Sequence, residues 1–165
     1  LVSTGMATRE EVREAVDTIC GASRQDWNGL ALLHCVSTYP CPLTYANLKA
    51  IDTLRRMYRM AEWPIGFSDH TLSCDIVPAL AVAMGATLYE KHMRLADDTS
   101  SVDAPHSLTP EQFTRMVAVI RSVPAILGDG MKCPHTTEGH DRLWARRDPS
   151  DWLRPTQGAR EGAWA

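Results

Sequence analysis

Leu30-Ala31-Leu32-Leu33-His34-Cys35-Val36 is an apolar run with no polar alternation. That pattern suits a strand buried on both faces, as in a parallel sheet. A polar, proline-containing stretch ends it: Ser37-Thr38-Tyr39-Pro40-Cys41-Pro42. On the N-terminal side, Leu1-Val2-Ser3-Thr4 is a shorter extended run closed by Gly5. A helix follows it, opened by a Thr8/Glu11 capping box that satisfies two otherwise orphaned N–H groups. Val12, Ala15, Val16 and Ile19 recur at helical spacing, and Gly21 is expected to end the helix.

On the C-terminal side the same unit repeats. Leu48, Ile51, Met57 and Tyr58 mark a second helix, and residues 63–67 a third strand. After a Ser68-Asp69-His70 turn, a third helix is expected from about residue 72 to 84. Its apolar residues run nearly all round, which predicts that it is well covered, and Pro78 must sit in its first turn or kink it. Residues 86–90 read as the fourth strand and residues 97–107 as a long functional or mobile loop. The last helix has Thr109 as N-cap, Pro110 at its first position and Gln112 completing the box. Phe113, Met116, Val117 and Ile120 form its buried face.

The order βαβαβαβα, with strand starts near residues 1, 30, 63 and 86, implies a parallel sheet with right-handed crossovers. Units of about 23 to 33 residues match those of a (β/α)8 TIM barrel, whose eight units total about 250 residues. Four strands do not close a barrel. The predicted fold class is therefore α/β, the last four βα units (strands 5–8) of such a barrel, with a four-stranded doubly wound sheet as the alternative. Residues 1–135 form the half-barrel domain and residues 136–165 an irregular tail.

Composition narrows the function classes. The chain has 165 residues, 44% hydrophobic and 22% charged, with a net charge of −3, as expected of a globular protein rather than a disordered or fibrous one. Without a basic stripe, no nucleic-acid partner is expected, and the longest apolar run is too short to span a bilayer. No signal peptide is apparent. The five cysteines are Cys20, Cys35, Cys41, Cys74 and Cys133, without CxxC spacing. They read as free buried thiols of a reducing cytoplasm.

In barrels the active site lies at the C-terminal ends of the strands. Here those ends are Ser3-Thr4-Gly5-Met6, the stretch from His34 to Tyr39, Ser68-Asp69-His70 and Glu90-Lys91-His92. His70 and His92 end adjacent strands, which lie about 4.8 Å apart, so their imidazoles either share a metal ion or are hydrogen-bonded structural residues. An imidazole site favours a transition ion over Mg or Ca. Ser68, Thr71 and the N–H groups at the start of the third helix either hold a phosphate or cap the helix. Lys91 points to the opposite strand face from His92 and reads as structural, and His34 reads as a core histidine. Asp103 taken alone reads as a solvated carboxylate, and His106, His135 and His140 carry no signal.

Five stretches in one order resemble the sialic acid synthase family, the N-acetylneuraminate synthases with their legionaminic and pseudaminic acid relatives. They are Val2-Ser3-Thr4-Gly5-Met6-Ala7, Leu32-Leu33-His34-Cys35-Val36-Ser37-Thr38-Tyr39-Pro40, Gly66-Phe67-Ser68-Asp69-His70-Thr71-Leu72, Glu90-Lys91-His92, and Asp103 with Ser107-Leu108. The resemblance spans residues 1 to about 135. It implies a (β/α)8 barrel that condenses phosphoenolpyruvate with an open-chain N-acetylated amino sugar of the N-acetylmannosamine type, releasing phosphate and a nonulosonic acid. It implies His70 and His92 as ligands of a divalent metal, usually Mn. It implies Ser68 as a phosphoenolpyruvate contact, Tyr39 and Ser37 as lining the substrate pocket, and Asp103 as the acidic residue that meets the sugar. A homodimer is implied for the full-length enzyme.

The chain departs from the family at Ser37, where some members have Asn, and at Arg94, where many have Thr. The loop 97–102 lacks a common Pro-Gly-Pro run. The resemblance also implies four preceding strands that bring a glutamate and lysines, and in many members a C-terminal antifreeze-like domain, so this chain is expected to be an incomplete catalyst. Two other readings remain: a non-catalytic remnant or partner-binding scaffold, and a different metal-dependent barrel aldolase.

Overall fold

The computed structural model describes residues 1–22 and 29–162. The chain divides into two compact units, Leu1–Leu127 and Gly128–Ala165. In the first, strands β1 (Val2–Ser3), β2 (Leu32–Cys35), β3 (Ile65–Asp69) and β4 (Leu88–Lys91) alternate with helices α1 (Arg9–Ala22), α2 (Lys49–Met57), α3 (Ile76–Ala83) and α4 (Pro110–Leu127). The strands lie side by side in chain order and every neighbouring pair is parallel. The fold is thus α/β with a parallel sheet, and the arrangement is compatible with part of a barrel.

Strand alternation divides the side chains between two faces. On the helix side Leu32, Ile65 and Phe67 join Val12, Val16, Ile51, Leu54, Val77 and Ala81 in the core. The other face carries Leu33, Cys35, Gly66, Ser68, Leu88 and Glu90, by register with those residues. Gly66 is required there: a Cβ would stand 2.5 Å from the Leu88 carbonyl oxygen and 2.6 Å from Leu33 Cδ2. The Thr8/Glu11 and Thr109/Gln112 boxes both form, each with two reciprocal hydrogen bonds.

Several boundaries differ from expectation. β3 runs through Ser68 and Asp69, which the sequence reading placed in a turn. Their side chains are accepted in a strand because each finds a partner on β4. Ser68 Oγ donates to Glu90 Oε1 at 2.7 Å. The Asp69 carboxylate accepts from the Tyr89 hydroxyl at 2.7 Å, from Lys91 Nζ at 3.0 Å and from the Thr71 N–H at 2.8 Å. Lys91 also donates to the Thr71 carbonyl. The Asp69 and Lys91 side chains are wholly buried, on the opposite strand face from Ser68 and Glu90. Burial first, and then the Asp69 carboxylate, push the Tyr89 hydroxyl well above its usual range, so it stays a donor.

α3 starts at Ile76 rather than near residue 72. Asp75 is its N-cap, accepting from the Ile76 N–H at 2.7 Å. Pro78 thereby falls in the first turn, where its missing N–H has no intrahelical partner to lose. The helix is not covered all round. Val77, Pro78 and Ala81 are buried, but Ile76 and Leu80 are 57% and 50% exposed. Both line an open groove with Leu43, Leu48 and Met84. On α4, Met116 and Val123 are buried, while Phe113, Val117 and Ile120 are only half-buried. Of the cysteines only Cys35 and Cys41 are buried, and Cys133 is exposed, so the expectation of buried thiols holds for two of them.

The second unit, expected to be irregular, carries two short helices, α5 (Gly139–Ala145) and α6 (Gln157–Arg160). Asp148 organises it: its carboxylate accepts from Ser150 and from the Gln157 N–H. These bonds hold its pKa down to about 2. No helix among the described residues is long and apolar enough to cross a membrane.

Candidate active site

Three strand ends and one loop build the site. After β2, Ser37 and Tyr39 follow the last ladder residue. Gly5, after β1, makes room for Ser37, because a Cβ at Gly5 would lie 2.2 Å from the Ser37 hydroxyl oxygen. His70 follows β3 and is 5% exposed. Its Nδ1 lies 2.8 Å from the Val36 carbonyl. A carbonyl only accepts, so Nδ1 carries a proton and Nε2 is the ring nitrogen left for a ligand. This is the usual preparation of a metal-binding imidazole, with a backbone carbonyl fixing tautomer and ring orientation.

His92 follows β4, and its ring centroid lies 5.5 Å from that of His70. Tyr39 covers both: its ring is tilted over His70 at 4.0 Å and edge-on to His92 at 6.2 Å. Desolvation foremost pushes the Tyr39 hydroxyl above its ordinary pKa, with smaller contributions from Cys35, Asp103 and Glu90. It is therefore a neutral donor near pH 7.

The loop after β4 folds back because its far end re-pairs with the strand's extension. The Leu108 N–H donates to the His92 carbonyl at 2.9 Å, and the Arg94 N–H donates to the Leu108 carbonyl at 3.0 Å. The Arg94 side chain gathers the intervening turn, donating to the carbonyls of Leu95, Ala96 and Asp98. The family departure at this position therefore has a local structural use. A 3₁₀ turn, Ala104–His106, then sets Asp103 and His106 on one side, as an i, i+3 pair should be. Asp103 Oδ2 lies 3.7 Å from His92 Nδ1, and Oδ1 lies 3.2 Å from His106 Nε2.

Of the residues singled out in sequence, His70, His92, Tyr39 and Asp103 thus lie together. Ser37 lies beside Cys35, with Oγ and Sγ 3.9 Å apart. Ser68 lies on the inner face, bonded to Glu90. The phosphate-binding alternative for the start of the third helix fails on geometry. Asp75 and Ser73 occupy the first N–H groups of α3, the Asp75 carboxylate would repel an anion, and the Thr71 hydroxyl accepts from Ser73. His34 lies on the helix side of the sheet, stacked on Phe67, with Nε2 2.9 Å from the Ala46 carbonyl. Burial lowers its pKa and the Ala46 bond partly opposes that. It is a core histidine.

Sequence reasoning missed two residues. Glu90 has no role in the sequence pattern, yet it holds Ser68. His106 was set aside, yet it packs against Tyr39 and His92, with ring centroids 5.0 and 4.9 Å away. The available signal was its position three residues after an acidic loop residue.

The donor set fits a divalent cation. Ligand atoms of His92, Asp103 and His106 all lie within 4.8 Å of one another. Two imidazoles and a carboxylate suit a transition ion.

The chain matches the NeuB family over residues 1–132. It is 41% identical to the N,N'-diacetyllegionaminic acid synthase of Legionella pneumophila, covering 89% of this chain and 40% of that protein. With the pseudaminic acid synthase of Campylobacter jejuni it shares 37% identity, covering 79% of this chain and 36% of that one. The crystal structure of the N-acetylneuraminic acid synthetase of Leptospira borgpetersenii superposes with a TM-score of 0.70 at 35% identity, over 85% of this chain and 47% of that one. The chain spans less than half the length of each of these relatives. On the extent of the family match, the chain belongs to the NeuB family, among whose relatives are synthases of sialic, legionaminic and pseudaminic acids.

Proposed function

We propose that this chain carries the sugar-activating side of a synthase site that condenses phosphoenolpyruvate with an N-acetylated amino sugar, releasing a nonulosonic acid and phosphate. The observation that carries the reading is the convergence of His70, His92, Tyr39 and Asp103 at the C-terminal ends of parallel strands, the catalytic end of a βα-barrel. The named activities of the relatives support it.

In this reaction the methylene carbon of the enol phosphate bonds to the sugar's carbonyl carbon. The carbonyl oxygen ends as a hydroxyl, water adds at the enol carbon, and phosphate leaves a keto group behind. The nucleophile belongs to the substrate, so no nucleophilic side chain is required. His70 and His92 are the residues we assign to a divalent ion, with Mn the ion of choice. When bound, such an ion polarises the sugar carbonyl as a Lewis acid.

The remaining roles fall to the chain's own groups. Asp103 stands beside His92, 57% exposed at its side chain, and so is open to a sugar hydroxyl, to or from which it passes a proton. Tyr39 and Ser37 line the sugar pocket, the neutral Tyr39 hydroxyl serving as a donor. Ser68, oriented by Glu90, contacts phosphoenolpyruvate. Holding both substrates in one orientation supplies much of the rate.

The test replaces the matching segment of the Legionella pneumophila synthase with this chain and follows phosphate release. Release that needs phosphoenolpyruvate, an amino sugar and Mn²⁺ together, and that is lost in both His70→Ala and His92→Ala, is expected. A folded chimaera whose two alanine variants keep full Mn²⁺-dependent turnover refutes the ligand assignment.

A further inference from the structure

We propose that His106 is a third imidazole ligand of the metal ion, joining His70, His92 and Asp103. The proposal rests on the metal reading of that site and adds a residue for which neither the sequence nor the comparisons give a role.

Three observations carry it. First, His106 is 5% exposed, and its Nε2 is buried without a hydrogen-bond partner among the described residues. Asp103 Oδ1, 3.2 Å away, is within ion-pair distance but makes no hydrogen bond to it. A buried ring nitrogen is rarely left unpaired, and a cation is a partner that needs no N–H alignment. Second, a ring nitrogen of His106 and ligand atoms of His92 and Asp103 all lie within 4.8 Å of one another. Third, the backbone holds the group as a unit. The Leu108 N–H to His92 carbonyl bond ties the loop to the strand end. Ser107 Oγ donates to the Asp103 carbonyl at 2.6 Å, closing the 3₁₀ turn that aligns Asp103 with His106. Tyr39 packs on His70 and His106 together, so one ring walls both sides of the site.

The chemistry follows from the donor type. A third neutral imidazole adds no charge but raises the preference for borderline transition ions over Mg²⁺. It also occupies a coordination position that water would otherwise take. The expected consequence is tighter ion binding and stronger discrimination against Mg²⁺ than His70 and His92 alone provide.

X-ray absorption fine structure on the Mn²⁺-loaded 165-residue chain counts coordinated imidazoles directly, in the unaltered sequence. Three imidazoles are expected, falling to two in His106→Gln, with Mn²⁺ affinity measured by calorimetry weakened at least 10-fold. Two imidazoles in the unaltered chain, and still two in His106→Gln, overturn the proposal while leaving the His70/His92 reading intact. In that case His106 only orients Asp103. Failure of the unaltered chain to bind Mn²⁺ overturns the metal reading and this proposal with it.

Discussion

Replacing Lys91 with Met should be among the most damaging single changes in the chain, although Lys91 takes no part in the proposed chemistry. Lys91 Nζ and Asp69 Oδ2 stand 3.0 Å apart, and neither side chain has any exposed surface. At that distance, with an effective dielectric constant of about 20, their attraction is about 5.5 kcal/mol. Met keeps most of the aliphatic volume, so packing loss is small. What remains is a buried Asp69 carboxylate with two neutral donors, the Tyr89 hydroxyl and the Thr71 N–H, and a Thr71 carbonyl that has lost the lysine. Removing one partner of a buried pair costs about 3–5 kcal/mol. The assay is urea unfolding by circular dichroism at one fixed protein concentration, so that any self-association weighs equally on both proteins. Lys91→Met should lose about 3–5 kcal/mol, and adding Asp69→Asn should recover part of it by removing the stranded charge. A loss below about 1 kcal/mol would mean that the pair behaves as a solvated surface pair, and the account of why β3 tolerates Asp69 would fall.

In the chimaeric synthase, Asp103→Asn keeps size and removes basicity, so kcat at saturating Mn²⁺ should drop by roughly 10²–10⁴-fold; an unchanged kcat with only a raised sugar KM would reduce Asp103 to a binding contact. Burial lowers the His34 pKa in the folded chain below its ordinary value of 6.5, so the unfolded chain takes up the proton first as pH falls. Stability should therefore be lost progressively below about pH 6.5, and His34→Gln, which keeps a donor for Ala46, should flatten that loss; equal slopes in urea midpoints between pH 7.5 and 5.5 would refute it. Gly66→Ala should destabilise by about 1–3 kcal/mol, because the nearest obstacle, the Leu88 carbonyl 2.5 Å away, is backbone and cannot turn aside; a neutral effect in the same urea assay would show that the inner face is loosely packed.

Much of the fold was legible because local signals agreed. The continuous run at residues 30–36 specified a doubly buried strand, and two capping boxes fixed two helix starts. The start of α3 was misplaced because its terminus is set by Asp75 and Ser73 rather than by the apolar pattern. Ser68 and Asp69 looked like a turn because sequence alone does not show that Glu90, Tyr89 and Lys91 stand opposite them. The same blindness to partners hid His106. A buried imidazole three residues after Asp103 becomes meaningful only once the Leu108–His92 pairing folds the loop back over the strand end. The exposure of Ile76 and Leu80 was also not legible, since periodicity reports which residues are apolar and not what lies against them.

The most direct test of the central claim is the fate of the phosphoenolpyruvate carbons. The chimaeric synthase, supplied with phosphoenolpyruvate labelled with ¹³C at all carbons, an N-acetylated amino sugar and Mn²⁺, is analysed by mass spectrometry alongside phosphate release. The account predicts a nonulosonic acid that carries the whole labelled unit, formed one for one with phosphate. Labelled pyruvate released with phosphate while the sugar stays unconsumed would contradict it.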